Sequence, residues 1–289
     1  MSPDGSIAEI DHIAFGATRL ASACDGLARL GFSLTRGSCT WSAAAGSLSA
    51  GSASVMFDHD YLDVIEHHEA RWRAHVDSSP LYGRGLAPSG IVLRAGSVEA
   101  VAQRLERAQI AYLPPYDIER RLEDSLDPFI RYRLLPLDRR AAGGLPLAFV
   151  HDPDPGVMRT PASLSHANAA IGLARVTLHV TDPGGARRAF ETVVDAAGSR
   201  AAAASAGARP SVDFINDAND DYLRAIAALL RVSDRAALLA LTFWSALDQT
   251  TQVLAHHGVK WLRLGPGRIG VDPGEGIGCG MVFENRSAR

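Results

Sequence analysis

Hydrophobic and polar positions follow the same order four times along the chain. In each copy a short apolar or alternating segment, which predicts a β-strand, precedes a stretch with apolar residues at helical spacing. These strand and helix pairs span residues 10–16 with 20–30, 90–95 with 98–108, 173–181 with 186–194, and 236–244 with 247–255. Further β-type segments follow each helix. Because a repeated pattern identifies the building unit of a fold, we predict an α+β protein made of four βαβββ modules.

A Pro-, Ser-, Asn- and His-rich stretch separates the second module from the third, and it begins with the turn sequence Asp-Pro-Asp-Pro-Gly at 152–156. We therefore predict an N-terminal half over residues 1–152, a linker over 153–172 and a C-terminal half over 173–289, with two modules in each half. The Ser-, Gly- and Ala-rich stretch at 42–53 has only small side chains and is predicted to be a mobile loop.

Composition narrows the classes of function. Of the 289 residues, 47% are hydrophobic and 21% are charged, which is typical of a soluble globular protein. The net charge of −3 and the absence of a Lys/Arg stripe argue against nucleic-acid binding. No apolar run approaches the roughly 18 residues that span a membrane, and no signal sequence opens the chain. Three widely spaced cysteines suggest neither disulfides nor a zinc site. We expect a cytoplasmic protein, and the sequence leaves a homodimer open.

Three segments resemble a known family. Residues 11–32, Asp-His-Ile-Ala-Phe-Gly through Leu-Gly-Phe, resemble the opening of the vicinal oxygen chelate superfamily, in particular its glyoxalase-like domain branch. Tyr-Leu-Asp-Val-Ile at 61–65 resembles the branch's Tyr-Leu-Glu-Leu-Ile strand, and Ser-His-Ala-Asn at 165–168 resembles its His-Pro-Asn-Gly connector. The resemblance implies two glyoxalase/dioxygenase-like halves, whose curved mixed sheets surround an open cleft.

The same resemblance implies one divalent metal ion, which substrates chelate through vicinal oxygen atoms. His12 occupies the family's first-strand ligand position, and Asp63 falls where the family has a glutamate ligand. Glu284, at the end of the last strand, or His179 is the third candidate ligand, and Glu66 is the alternative to Asp63 if its strand is bulged. Imidazole and carboxylate suit zinc, nickel, manganese and iron alike, so the metal's identity stays open. The alternatives are a hydrogen-bonded histidine in a cleft wall, a solvated aspartate and an ordinary edge-strand glutamate.

Four further residues are candidates for substrate binding. Arg175 stands where a first-strand histidine of the third module would be in register, and His179 lies on the same strand face. A guanidinium in a cleft can clamp a carboxylate or an enolate. Tyr61 shares a strand face with Asp63, and Trp41 lies beside the predicted loop.

The sequence supports three functions. The first is a metal-dependent lyase or isomerase acting on a small oxygenated substrate; a dioxygenase is less favoured because no second histidine is in register. The second is a metal-free protein that sequesters a small aromatic or carboxylate ligand in the cleft. The third is acid–base catalysis by His12 and Asp63 without a metal.

Overall fold

The computed structural model describes residues 6–7, 9–43, 46–66, 86–122, 130–198, 209–216, 220–230, 237–272, 275 and 278–286. Its first elements are β1 (Ser6–Ile7), β2 (Ile10–Ala17), α1 (Leu20–Arg29), β3 (Thr35–Ala43), β4 (Gly46–Met56), β5 (Tyr61–Glu66), β6 (Leu86–Arg94), α2 (Val98–Arg107), β7 (Tyr116–Leu122), β8 (Ile130–Pro136) and β9 (Leu147–His151). The later elements are β10 (Ala170–His179), α3 (Pro183–Ala197), β11 (Ser211–Ile215), α4 (Asp221–Leu230), β12 (Ala237–Ser245), α5 (Leu247–His256), β13 (Trp261–Gly265), β14 (Arg268–Val271) and β15 (Gly280–Glu284).

Eight strands of the first half form a closed barrel in the order β2-β5-β4-β3-β7-β8-β9-β6. The opening strands of the two modules, β2 and β6, pair antiparallel, and each also pairs parallel with the last strand of its own module. Antiparallel pairing of β3 with β7 closes the ring. Because alternate residues of the strands point inward, the curved ring surrounds a cleft, as the resemblance implied.

The second half is a seven-stranded mixed sheet in the order β1-β11-β10-β12-β15-β14-β13. The fourth module is complete, with β12, α5 and three further strands. Between β10 and β12 the described residues form α3, β11 and α4, and β1 from the start of the chain pairs with β11. The predicted α+β class and the two glyoxalase-like halves are confirmed, whereas the third module departs from the βαβββ plan within the described residues. The boundaries at 152 and 173 stay predictions.

The loop predicted at 42–53 is wrong. Most of this stretch belongs to β4, which pairs antiparallel with β3 from Thr35↔Ser54 to Ala43↔Gly46 and with β5 on its other side. The ladder with β5 covers only Ser52 to Met56, so most of the stretch is held by backbone pairing with β3. None of the helices that the structure describes is long and apolar enough to cross a membrane.

Asn168 in the connector fastens the two halves together. Its side chain is fully buried, and its Nδ2 donates a hydrogen bond to the backbone oxygen of Leu30 at the end of α1 (2.8 Å). Its own backbone oxygen accepts hydrogen bonds from Thr250 Oγ1 (2.7 Å) and Ser245 Oγ (3.1 Å) in the second half. One residue thus links the barrel to β12 and α5.

Aromatic packing completes this contact between the halves. Phe32 and Phe57 of the first half lie against Phe243 of β12, with ring centroids 5.3 and 5.8 Å apart. His166 stands beside Phe57, and its Nε2 lies 2.9 Å from the backbone oxygen of Met56. The connector therefore joins the two halves through a shared core and not as a free linker.

We expect Asn168→Ala to lower the free energy of unfolding by roughly 2–4 kcal/mol, because it leaves the Leu30 oxygen and the Ala170 N–H buried without their partner. Urea denaturation measures the change. Gln249→Ala is the control: its exposed side chain donates to the backbone oxygen of Ala167 in the same connector, and its removal should cost less than about 1 kcal/mol. Equal losses in both variants would contradict the linking role of Asn168.

A buried carboxyl group lies where β10 passes the barrel. Asp60, in the turn before β5, accepts a hydrogen bond at Oδ1 from the backbone N–H of Leu173 (3.2 Å). Burial raises the pKa of Asp60 to about 7, although the Leu173 N–H and the positive charges of Arg159, Arg209 and Arg94 act in the opposite direction. Asp60 is therefore protonated in the folded protein at pH values where the unfolded chain has already lost that proton.

We expect the free energy of unfolding to fall as pH rises from about 4 to about 7, because the folded-state pKa of Asp60 lies above its value in the unfolded chain. Asp60→Asn should flatten this fall, which urea denaturation across that pH range measures. The exposed neighbour supplies the control, since Asp58→Asn should leave the slope as it is in the parent. A slope that survives in Asp60→Asn would assign the effect to another group.

Candidate active site

The barrel encloses a cavity of about 410 Å³. Its wall is mostly apolar and includes the aromatic rings of Phe15, Tyr61, Tyr116 and Tyr132. The volume lies in the range of roughly 300–1,000 Å³ that is typical of small-molecule sites. Polar side chains interrupt this wall around His12 and around Arg120, and the lining also includes Ser89, Asp138 and Arg139.

The first group is a buried histidine–carboxylate pair. Nδ1 of His12 lies 2.9 Å from Oδ1 of Asp11, and Oδ2 of Asp11 accepts a hydrogen bond from Nε of Arg94 (3.1 Å). Burial by itself would raise the pKa of Asp11, but the hydrogen bond with His12 and the positive charge of Arg94 hold that pKa below its usual value. An ionised carboxylate only accepts hydrogen bonds, so Nδ1 of His12 carries a proton. Nε2 is then the ring nitrogen that is left to accept or donate a proton.

A β-bulge explains how two neighbouring residues come into contact. In a regular strand Asp11 and His12 would point to opposite faces of the sheet. The ladder between β2 and β6 pairs Ile10 with Leu93 and His12 with Val92, so Asp11 is an extra residue without a partner position. Bulges re-aim side chains in this way, often beside functional sites. Strict alternation along β2 would place Asp11 and His12 on opposite faces, so the sequence did not indicate Asp11 as a site residue. On the cavity side, the His12 ring stacks against Tyr61 with centroids 4.5 Å apart.

The second group is a buried ion pair. Nη2 of Arg120 donates to both carboxylate oxygens of Asp63, at 2.5 and 2.6 Å. Ser54 Oγ donates to Oδ1 of Asp63 (3.1 Å) and accepts from Nη1 of Arg120 (2.9 Å). Both charged side chains are almost completely buried, so their mutual attraction has to offset the free-energy cost of removing each charge from water.

The remaining contacts of Arg120 are with sulfur and an aromatic ring. Nε lies 3.2 Å from Sγ of Cys39, Nη1 lies 3.6 Å from Sδ of Met158, and the guanidinium carbon is 5.7 Å from the centroid of Tyr132. The sequence analysis did not predict β7, because its sequence Tyr-Asp-Ile-Glu-Arg-Arg-Leu is highly charged. The signal was the alternation in that strand, since every second residue from Tyr116 to Arg120 lines the cavity.

These donors do not fit the three-ligand metal centre predicted from the resemblance. Both oxygens of Asp63 already bind the guanidinium of Arg120, a cation that opposes a second positive charge there. Glu284 lies in the second sheet, with Oε2 3.7 Å from Nε of Arg268. No cluster of three or more His, Cys, Asp or Glu side chains suited to a metal ion occurs among the described residues.

The four residues predicted to bind substrate do not all lie at the cavity. Tyr61 lines the cavity with His12 and Asp63. Arg175 and His179 lie on β10 in the second sheet, where Arg175 pairs with Asp213 (3.1 Å) and Nε2 of His179 lies 3.1 Å from the backbone oxygen of Asn216. Trp41 belongs to β3, and its side chain lies outside the described part of the structure. Of the predicted site residues whose side chains the structure describes, His12, Tyr61 and Asp63 line the same cavity.

Comparison with known proteins agrees with this architecture. Residues 10–194 match the family described as Glyoxalase-like domain, which is more than half of the chain. The chain belongs to the glyoxalase-like domain family. The resemblance to the vicinal oxygen chelate superfamily is therefore confirmed. The matched region contains the whole barrel and continues into α3.

Two solved structures share the fold over nearly the whole chain. A hypothetical protein from Staphylococcus aureus superposes with a TM-score of 0.60 at 11% identity, covering 97% of this chain and all of that one. A triple mutant of 4-hydroxymandelate synthase from Streptomyces coelicolor superposes with a TM-score of 0.56 at 10% identity, covering 98% of this chain and 94% of that one. Identities this low show a common fold and no more. No curated protein matches the chain in sequence.

We expect Arg120→Met to lower the free energy of unfolding by about 3–5 kcal/mol, because it leaves the Asp63 carboxylate buried and unpaired. The double variant Arg120→Met/Asp63→Leu removes both charges and should lie within about 1–2 kcal/mol of the parent. Urea denaturation of the two variants gives the comparison. The matched control is the exposed pair of Arg131 and Glu119, where Arg131→Met should cost at most about 1 kcal/mol. A loss in Arg120→Met no larger than this control would contradict a buried ion pair.

Proposed function

We propose that this protein is an enzyme of the lyase or isomerase type that moves a proton on a small oxygenated substrate inside the barrel cavity. His12 is the proposed general acid–base group, and Asp11 is the residue that orients it. The observation that carries the proposal is the buried contact between the Asp11 carboxylate and Nδ1 of His12, whose ring lines the cavity.

The chemistry of this pair is proton removal next to a carbonyl group. Nε2 of His12 accepts the proton, the electrons of the broken C–H bond form a carbon–carbon double bond, and the carbonyl oxygen becomes an enolate. Return of the proton to the other face of the same carbon completes an isomerisation; departure of a leaving group from the next carbon with the enolate electrons completes an elimination. The Asp11 carboxylate stabilises the imidazolium that forms in between.

The cavity favours a substrate that is small and partly apolar. Tyrosine rings and aliphatic side chains form most of its wall, so a ring or short hydrocarbon fits there. The mostly apolar wall also strengthens the interactions of any charge that develops during the reaction.

The contacts of His12 and Asp63 bear on the other functions that the sequence supports. Acid–base catalysis by His12 with Asp63 requires Asp63 as the partner, whereas the carboxylate bound to His12 is that of Asp11. A metal-dependent reaction requires Asp63 to leave Arg120. Sequestration without turnover stays the second candidate function, because the mostly apolar, aromatic wall suits ligand retention equally well.

We expect the protein to catalyse exchange of α-protons of small ketones, aldehydes or 2-oxo acids into D₂O, measured as loss of the ¹H NMR signal. His12→Gln should lower the exchange rate by at least about 100-fold, because it removes the base. Asp11→Asn should also lower it and shift its pH profile, because the ring loses its carboxylate partner. His256→Gln, which changes an exposed histidine of α5, is the control and should retain the parent rate.

Three results would contradict the proposal. Unchanged exchange in His12→Gln would remove His12 from the reaction. Saturable binding of the panel without exchange in the parent would establish sequestration. Loss of exchange on treatment with a chelator, and its return with zinc, nickel, manganese or iron, would establish the metal-dependent reaction.

A further inference from the structure

The N–H donors of Arg120 face acceptors of different strength. A guanidinium carries five N–H donors. Three of those of Arg120 bind oxygen, two on Asp63 and one on Ser54, while the other two face the sulfur atoms of Cys39 and Met158. The side chain is almost completely buried, so water does not compensate these two donors.

The contact with Cys39 is the one that a ligand can replace. Sulfur is a weak acceptor, so a charged N–H donor that faces a thiol forgoes most of the strength of a charge-assisted hydrogen bond. Cys39 and Arg120 both line the barrel cavity, and they are opposite each other in the ladder between β3 and β7. An oxygen atom of a ligand in this cavity would be a better acceptor for Nε–H than the thiol is.

We propose that Arg120 is the positive group that receives the carbonyl oxygen of the substrate, through its Nε–H and in place of the Cys39 thiol. Asp63 is then a positioning residue, because its two oxygens hold the guanidinium across the barrel. This inference rests on the proposed function for the reaction step: as His12 removes a proton, negative charge grows on that oxygen, and a fixed donor stabilises it. The substrate class is a small carbonyl compound with an apolar or aromatic remainder.

Binding of two matched probes tests the inference without any need for turnover. Acetophenone and ethylbenzene have similar size, and the main chemical difference between them is the carbonyl group. We expect the parent protein to bind acetophenone at least about tenfold more tightly than ethylbenzene, measured by calorimetry or ligand-observed NMR. In Arg120→Met/Asp63→Leu the preference should vanish while the affinity for ethylbenzene stays within about threefold, and thermal unfolding confirms that the variant is folded.

Two substitutions at Cys39 examine the Nε–H position itself. Cys39→Ala removes the competing acceptor and should raise the preference for acetophenone above the parent value. Cys39→Ser supplies a stronger oxygen acceptor within the protein and should lower the preference. Equal preferences in the parent, Cys39→Ala and Cys39→Ser would overturn the assignment of Nε–H as the binding group.

The outcomes also separate this inference from the proposed function. His12→Gln should abolish proton exchange yet keep the preference for acetophenone, since Arg120 and not His12 holds the oxygen. Proton exchange without any carbonyl preference would overturn the role of Arg120 and leave the His12 proposal standing. A preference that appears only after addition of Zn²⁺, or that a chelator removes, would overturn it in favour of a metal.

Discussion

The pairing of β3 with β7 is the constraint on which the site depends. These strands belong to different modules, and their ladder turns two sheets into one closed barrel. Closure places Cys39 opposite Arg120 and brings the guanidinium within hydrogen-bonding distance of Asp63 on β5. An open pair of sheets would leave the Asp63 carboxylate facing solvent or a metal ion. The closed ring instead supplies an organic cation and excludes water from both charges.

Short-range patterns in the sequence predicted the helices and the first strands of the modules, which depend mainly on neighbouring residues. The helical spacing of apolar residues identified α1, α2, α3 and α5, and the first strand of each module lies where alternation and apolar runs place it. The resemblance at 11–32 and 61–65 pointed to His12 and Asp63, which do line one cavity. Each of these features is encoded within a stretch of about ten to twenty residues, which is the reach of periodicity arguments.

Features that depend on pairing between strands far apart in the sequence could not be predicted from it. The strand character of β4 comes mainly from its ladder with β3 and not from its Ser- and Gly-rich side chains. Arg120 is buried because β7 joins β3, and the four charged residues of β7 obscure the alternation of Tyr116, Ile118 and Arg120 in the sequence. The partner of His12 is its own neighbour, Asp11, through a bulge that appears only in the register with β6. In each case the deciding information is a register between strands.

Asp11 and Asp63 bind different partners, and this separation gives them different roles. Asp11 is bonded to His12 and Arg94, so its charge acts on the imidazole. Asp63 is hydrogen-bonded to Arg120 and Ser54, so it holds the guanidinium in place. In the second sheet, Arg175 and Glu284 form ion pairs with Asp213 and Arg268 outside the cavity. That half therefore contributes stability through Asn168 and the shared aromatic core, and the proposed chemistry is contained within the barrel.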